Sequence, residues 1–184
     1  MRPRAVIILA QGFEEMEAII SIDILRRAGI DAVIACLDHD LLVAGSRKIT
    51  VQAQVKLDDI DFIPDAVVLP GGMPGALNLA QSENVINFIK KIADQGKIIA
   101  AVCASPAHVL VKAGVLKGKT ATCYPGDETL FLPETIYKKQ DVVVDGNIIT
   151  ASGPGTSFDF ALAIVKKICG QDLADKVKKA ALIK

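Results

Sequence analysis

The chain has 184 residues, 51% of them hydrophobic and 23% charged, and its 21 basic and 21 acidic side chains cancel. That length suits one domain spanning 1–184, with a full hydrophobic core, and falls short of two. Zero net charge and scattered basic residues, densest at Lys176 to Lys179, offer no footprint for nucleic acid, and no apolar run reaches the roughly eighteen residues a membrane span needs.

The first stretch, Met1 to Leu9, has two arginines and a short apolar run that passes into Gln11, Gly12 and two glutamates. It lacks the small-residue cleavage site of a secretory signal. Cys36, Cys103, Cys123 and Cys169 are far apart, without the CxxC spacing of structural zinc. The expectation is four reduced thiols in a cytoplasmic protein, with neither metal nor cofactor.

Apolar runs alternate with amphipathic stretches, the pattern of an α/β fold with a mostly parallel sheet. Ala5 to Leu9 has no polar alternation and is predicted to be a strand buried on both faces. Glu14 to Ala28 follows as a helix, acidic at its start, basic at its end and stopped by Gly29. Ile30 to Cys36 is the second strand, and Asp40 to Leu57 reads as a hairpin-like excursion around Ala44-Gly45-Ser46.

Ala66 to Leu69 is a third buried strand, ending in Pro70-Gly71-Gly72-Met73-Pro74-Gly75. Helices then run through Asn84 to Gln95 and stop at Gly96; Lys97 to Val102 is the next strand. After Cys103 the pattern is helical to about Lys112, and Lys119 to Cys123 is a short strand. Val142 to Asp145 and Asn147 to Thr150 form an antiparallel hairpin, and Gly153 to Ser157 opens a last long helix, Phe158 to Cys169, capped by Gly170.

Three features carry chemistry. Ala101-Val102-Cys103-Ala104-Ser105 has the small-x-nucleophile-x-small form of a strand-to-helix elbow, and a following helix would aim its positive end at the sulfur and favour thiolate. The same residues also suit a merely small, buried cysteine. Glu17 shares a helical stripe with Ile20, Ser21 and Ile24; a carboxyl buried there favours its protonated form, although a helix N-terminal carboxylate is the plainer reading of Glu14 and Glu15. Gly71-Gly72 puts open backbone N–H groups at the carboxyl end of the sheet, where with Ala104 they suit an oxyanion, or form an ordinary Pro-Gly turn. His108, five residues past Cys103, is expected to be rotated away from the sulfur, and His39 to sit in a solvated turn.

Ile7 to Glu17, Val68-Leu69-Pro70-Gly71-Gly72, Ala100 to Pro106 and Ser152 to Ser157 together resemble the ThiJ/PfpI superfamily, and within it the branch of the parkinsonism-associated protein and its bacterial relatives. The resemblance covers the whole chain in order. It implies a flavodoxin-like, class I glutamine amidotransferase-like sandwich that forms a homodimer. It also implies Cys103 as an oxidisable nucleophile, Glu17 as its protonated partner, and Gly71, Gly72 and Ala104 at an anion pocket, with Tyr124 and Pro154 shaping the surroundings. Two departures matter. Tyr124 stands where some relatives have a histidine, and Ala104 stands where the protease-like branch has one. Both disfavour peptide hydrolysis.

The implied activity is cofactor-free conversion of 2-oxoaldehydes, methylglyoxal to lactate, and removal of early glycation adducts from proteins. Its partners are then a small aldehyde or a glycated protein. The alternative is an oxidative-stress-sensing chaperone that uses oxidation of Cys103.

Overall fold

A computed structural model describes residues 2–37 and 40–184. The turn expected at His39 lies outside them. Strand β1, Arg4–Leu9, leads into helix α1, Glu15–Arg27, and then β2, Asp31–Cys36. Next come β3, Leu42–Ala44, β4, Thr50–Gln52, β5, Val55–Lys56, and β6, Ala66–Leu69. Helices α2, Gly75–Gln81, and α3, Glu83–Asp94, precede β7, Ile98–Val102. A π turn, Pro106–Leu110, runs directly into the single α-helical turn α4, Val111–Ala113. Short strands β8, Thr120–Ala121, and β9, Ile136–Tyr137, precede the hairpin β10, Val142–Asp145, and β11, Ile148–Ala151. Helices α5, Ser157–Cys169, and α6, Gln171–Ala180, follow.

The main sheet has the order β10-β11-β7-β6-β1-β2-β5, and every pairing is parallel except β10 with β11. The apolar strands alternate between two cores. Ala5, Ile7 and Leu9 of β1 join Ala18, Ile22 and Leu25 of α1 and Phe160 and Ile164 of α5. Val6 and Ile8 face the other way, onto Leu79 of α2 and Val85, Ile89 and Ile92 of α3. Strands with no polar alternation are covered by helices on both sides, the α/β layering read from the sequence.

The excursion after β2 is a separate antiparallel hairpin, β3 with β4, as expected. Its continuation, however, returns to the main sheet as edge strand β5 beside β2, a two-residue pairing too short to leave a period-two pattern. Among the described residues no helix is long and apolar enough to cross a membrane.

Candidate active site

Cys103 follows the last residue of β7 and adopts φ +62°, the left-handed region, which costs a non-glycine residue about 1–3 kcal/mol. Three hydrogen bonds hold it there. The Cys103 N–H donates to Ala151 O at 2.9 Å, and its carbonyl accepts from Tyr124 N at 2.8 Å. The Ser105 hydroxyl, fully buried, donates to Pro70 O at 2.6 Å and ties the elbow to the glycine loop. Parallel pairing of β6, β7 and β11 therefore sets the sulfur at the carboxyl end of the sheet.

Glu17 is fully buried. It is the third residue of α1 and so stands in the first turn with Glu15. What separates the three acids is where each points. Glu14 is the N-cap and accepts from Glu17 N at 2.8 Å. Glu15 turns to the hairpin loop, accepting from Arg47 N at 2.6 Å and the Ser46 hydroxyl at 3.1 Å. Burial works against the Glu15 charge, but these donors and Ile49 N outweigh it and hold the carboxyl below its usual range. Glu17 alone points inward.

Its Oε2 accepts from Gly71 N at 2.6 Å, and its Oε1 is buried with no hydrogen-bond partner of its own. Burial pushes the Glu17 carboxyl up to about 7, aided by the Glu14 charge and opposed by the Gly71 amide and the Cys103 side chain. A carboxyl poised there exchanges protons readily at neutral pH. Burial also pushes the Cys103 thiol up, and the neighbouring Glu17 charge pushes it further, against the amides of Gly72 and Ala104.

The expectation of a thiolate held by a helix dipole is thus corrected. The helical segment after the elbow is a five-residue π turn joined to three α residues, too short to project a sizeable dipole. Two buried acids share one site, and the Glu17 charge opposes ionisation of the Cys103 thiol.

The glycines divide their tasks. A Cβ on Gly71 would lie 2.7 Å from Cys103 Cβ and 3.0 Å from Ala104 N, so only glycine lets the loop approach the elbow. Its amide is committed to Glu17, which leaves the N–H groups of Gly72 and Ala104 to face the sulfur. Gly72 has φ +84°, and a side chain there would collide with the backbone at Phe13 and Glu14. Gly71→Ala is expected to lower stability by about 1–3 kcal/mol and to slow alkylation of Cys103, measured by urea unfolding and iodoacetamide kinetics.

Above the sulfur lies a cavity of about 530 Å³. Cys103, Ala104, Gly72, Met73 and Glu14 line it, together with Ser46 and Arg47 from the hairpin loop. Tyr124 and Pro154 line it as expected from the sequence, and the Tyr124 ring packs beside Gly153. Glu17 and Gly71 do not reach the cavity wall. They act on it through Cys103.

His108 also lines the cavity, with Asp127. An α-helix would carry a residue five positions on about 140° around its axis, which is why the sequence points His108 elsewhere. That count does not apply, because Cys103 at φ +62° stands outside the helical segment that carries His108. Nothing local flags Asp127, which comes from the loop after Tyr124. Among the described residues no group of three His, Cys, Asp or Glu side chains is placed to hold a metal.

The model of the DJ-1/PfpI family matches residues 3–167. The chain belongs to this family. Among its DJ-1 relatives, the zebrafish Parkinson disease protein 7 homolog is 40% identical over 98% of this chain and 97% of its own length. The Arabidopsis DJ-1 homolog B is 44% identical over 98% of this chain, which spans only 41% of that longer protein. The crystal structure of Drosophila DJ-1beta superposes with a TM-score of 0.95, at 39% identity and full coverage of both chains. An oxidised DJ-1 from Toxoplasma gondii gives a TM-score of 0.95 at 34% identity, covering 98% of each chain. The mostly parallel sheet with helices on both faces is the DJ-1 fold.

Proposed function

We infer that this DJ-1 family member is a cofactor-free enzyme that converts small 2-oxoaldehydes to 2-hydroxy acids, methylglyoxal to lactate, through Cys103 and Glu17. The observation that carries the reading is the buried carboxyl of Glu17, poised near 7 against the thiol in a left-handed elbow. Because burial holds the proton on sulfur, Glu17 takes it as sulfur bonds to the aldehyde carbon and passes it to the aldehyde oxygen, giving a hemithioacetal. The amides of Gly72 and Ala104 offset the negative charge that develops at this centre. Glu17 then moves the proton of the former aldehyde carbon to the adjacent carbonyl carbon, while a proton passes from one oxygen to the other. The product is a 2-hydroxyacyl thioester, which water cleaves.

Aldehydes suit this pair. They are electrophilic without a metal, and no amine leaving group has to be protonated. The Arg47 guanidinium, on a residue that lines the cavity, offers donors to the second carbonyl. A glycated amine would enter by the same first addition, so removal of early glycation adducts follows from one mechanism. Wild-type protein is expected to form lactate from methylglyoxal without glutathione, followed by enzymatic lactate assay. No lactate above the background rate would sink the reading.

A second reading has its own support, since a relative covering 98% of this chain is described as oxidised. A sulfinate on Cys103 would find a donor in protonated Glu17 and further donors in the Gly72 and Ala104 amides, which suits an oxidation sensor with chaperone activity. Under mild peroxide, peptide mass spectrometry should find two added oxygens on Cys103 before Cys36, Cys123 or Cys169. Equal oxidation of all four would remove this reading.

A further inference from the structure

A second titratable pair faces the cavity, on elements separate from those that carry Glu17. His108 Nε2 lies 3.7 Å from Asp127 Oδ2, with the two side chains 20% and 28% exposed. Asp127 is fixed in turn by its own N–H, which donates to Tyr124 O at 3.0 Å. The backbone N–H of His108 donates to Ala104 O at 3.0 Å, which ties this turn of chain to the residue beside the nucleophile.

The chemistry just described ends on a thioester, and a thioester needs an activated water. Glu17 is poorly placed to supply one: it is fully buried, its Oε2 is held by the Gly71 amide, and it does not line the cavity. Of the other groups at the wall, the Arg47 guanidinium and the Tyr124 and Ser46 hydroxyls are not bases at neutral pH. The Glu14 carboxylate is occupied as the cap of α1. At 3.7 Å the Asp127 carboxylate stands beside one ring nitrogen at ion-pair distance, longer than a hydrogen bond, a placement that suits a general base and its orienting group.

We propose that His108, oriented by Asp127, is the general base that activates water to hydrolyse the acyl-Cys103 thioester. This rests on the 2-oxoaldehyde reading for its natural acyl group. In the step, the water oxygen bonds to the thioester carbonyl carbon as a water proton moves to Nδ1, the nitrogen not facing Asp127. The carbon–sulfur bond breaks, its electron pair stays on Sγ, and the imidazolium gives up the water's proton to restore the thiol. His108 and Glu17 then stand as they began. The chain thereby supplies, from the helix after the elbow, an imidazole that is missing at Tyr124.

The step can be isolated by acylating Cys103 with p-nitrophenyl acetate, removing excess ester, and following loss of the acetyl mass. His108→Ala is expected to acylate at the wild-type rate but to deacylate about 10²-fold or more slowly. Added imidazole should speed the variant far more than the wild type. Asp127→Asn should slow deacylation less, with acylation unchanged, as befits a positioning residue. Wild-type deacylation in His108→Ala overturns the proposal, as does a Cys103 that accepts no acyl group.

Lactate formation on the same preparations separates the two ideas. A wild type that deacylates through His108 yet makes no lactate retains this step and loses only the substrate. Lactate from His108→Ala at the wild-type rate does the reverse.

Discussion

Cys103→Ser is expected to reduce methylglyoxal turnover by about 10³-fold or more while leaving the fold intact. Serine matches the thiol in size, and the three hydrogen bonds that hold φ at +62° involve the Cys103 backbone and Ser105, not the sulfur. What changes is chemistry. A hydroxyl gives up its proton far less readily than a thiol in the same surroundings, so the Glu17 carboxylate is a still poorer match to the alcohol. Lactate assay beside a urea melt reads both halves of the expectation. A serine variant with wild-type turnover would leave Cys103 as a small residue filling the elbow.

The second large effect belongs to Glu17 and is seen in stability as well as rate. Its carboxyl holds a proton up to about 7 in the folded chain and to an ordinary 4.5 when unfolded, because burial penalises the charge. Between those pH values the folded state binds more protons than the unfolded one, so stability falls as pH rises. The loss begins above 4.5, is complete above about 7, and amounts to roughly 3 kcal/mol.

Glu17→Gln keeps an acceptor for the Gly71 amide and carries no charge. It is expected to lack that decline and to be the more stable protein above pH 7, while turnover falls by about 10²–10⁴-fold. Urea unfolding on either side of the window, with lactate assay, measures both. Parallel stability profiles for wild type and variant would mean that Glu17 is not titrating in the folded chain. The opposite signs on stability and activity are what a carboxyl retained for chemistry should give.

Much of the fold and part of the site are legible in the amino-acid sequence alone. Strands without polar alternation, such as Ala5 to Leu9, announce burial on both faces whatever they pack against. Small residues flanking Cys103 announce a tight turn, since no larger side chain fits beside it. Gly71 and Gly72 likewise mark a close backbone approach, and the structure shows what is approached, the elbow and the start of α1. These are local properties of the chain, and local sequence carries them.

The features that the sequence misplaces share one cause. Whether Gly71 offers its amide to a substrate anion or to Glu17 depends on where α1 docks across the sheet, 54 residues away in sequence. Whether the thiol is held down or pushed up depends on burial beside a second acid and on how long the following helix runs. An α-helical phase counted from Cys103 turns His108 away, but Cys103 stands outside the helix at φ +62° and His108 lines the cavity. Arg47 reaches the site from the β3–β4 hairpin loop, and Asp127 from a 3-10 turn between the parallel strands β8 and β9.

By itself, then, the sequence determined the two-sided α/β layering, the tight turn at Cys103 and the inward carboxyl of Glu17, because burial patterns and turn chemistry are written in neighbouring residues. Only the tertiary structure decided which groups share protons with the sulfur and which face the cavity. Those are long-range distances and desolvation energies, set when separate elements meet.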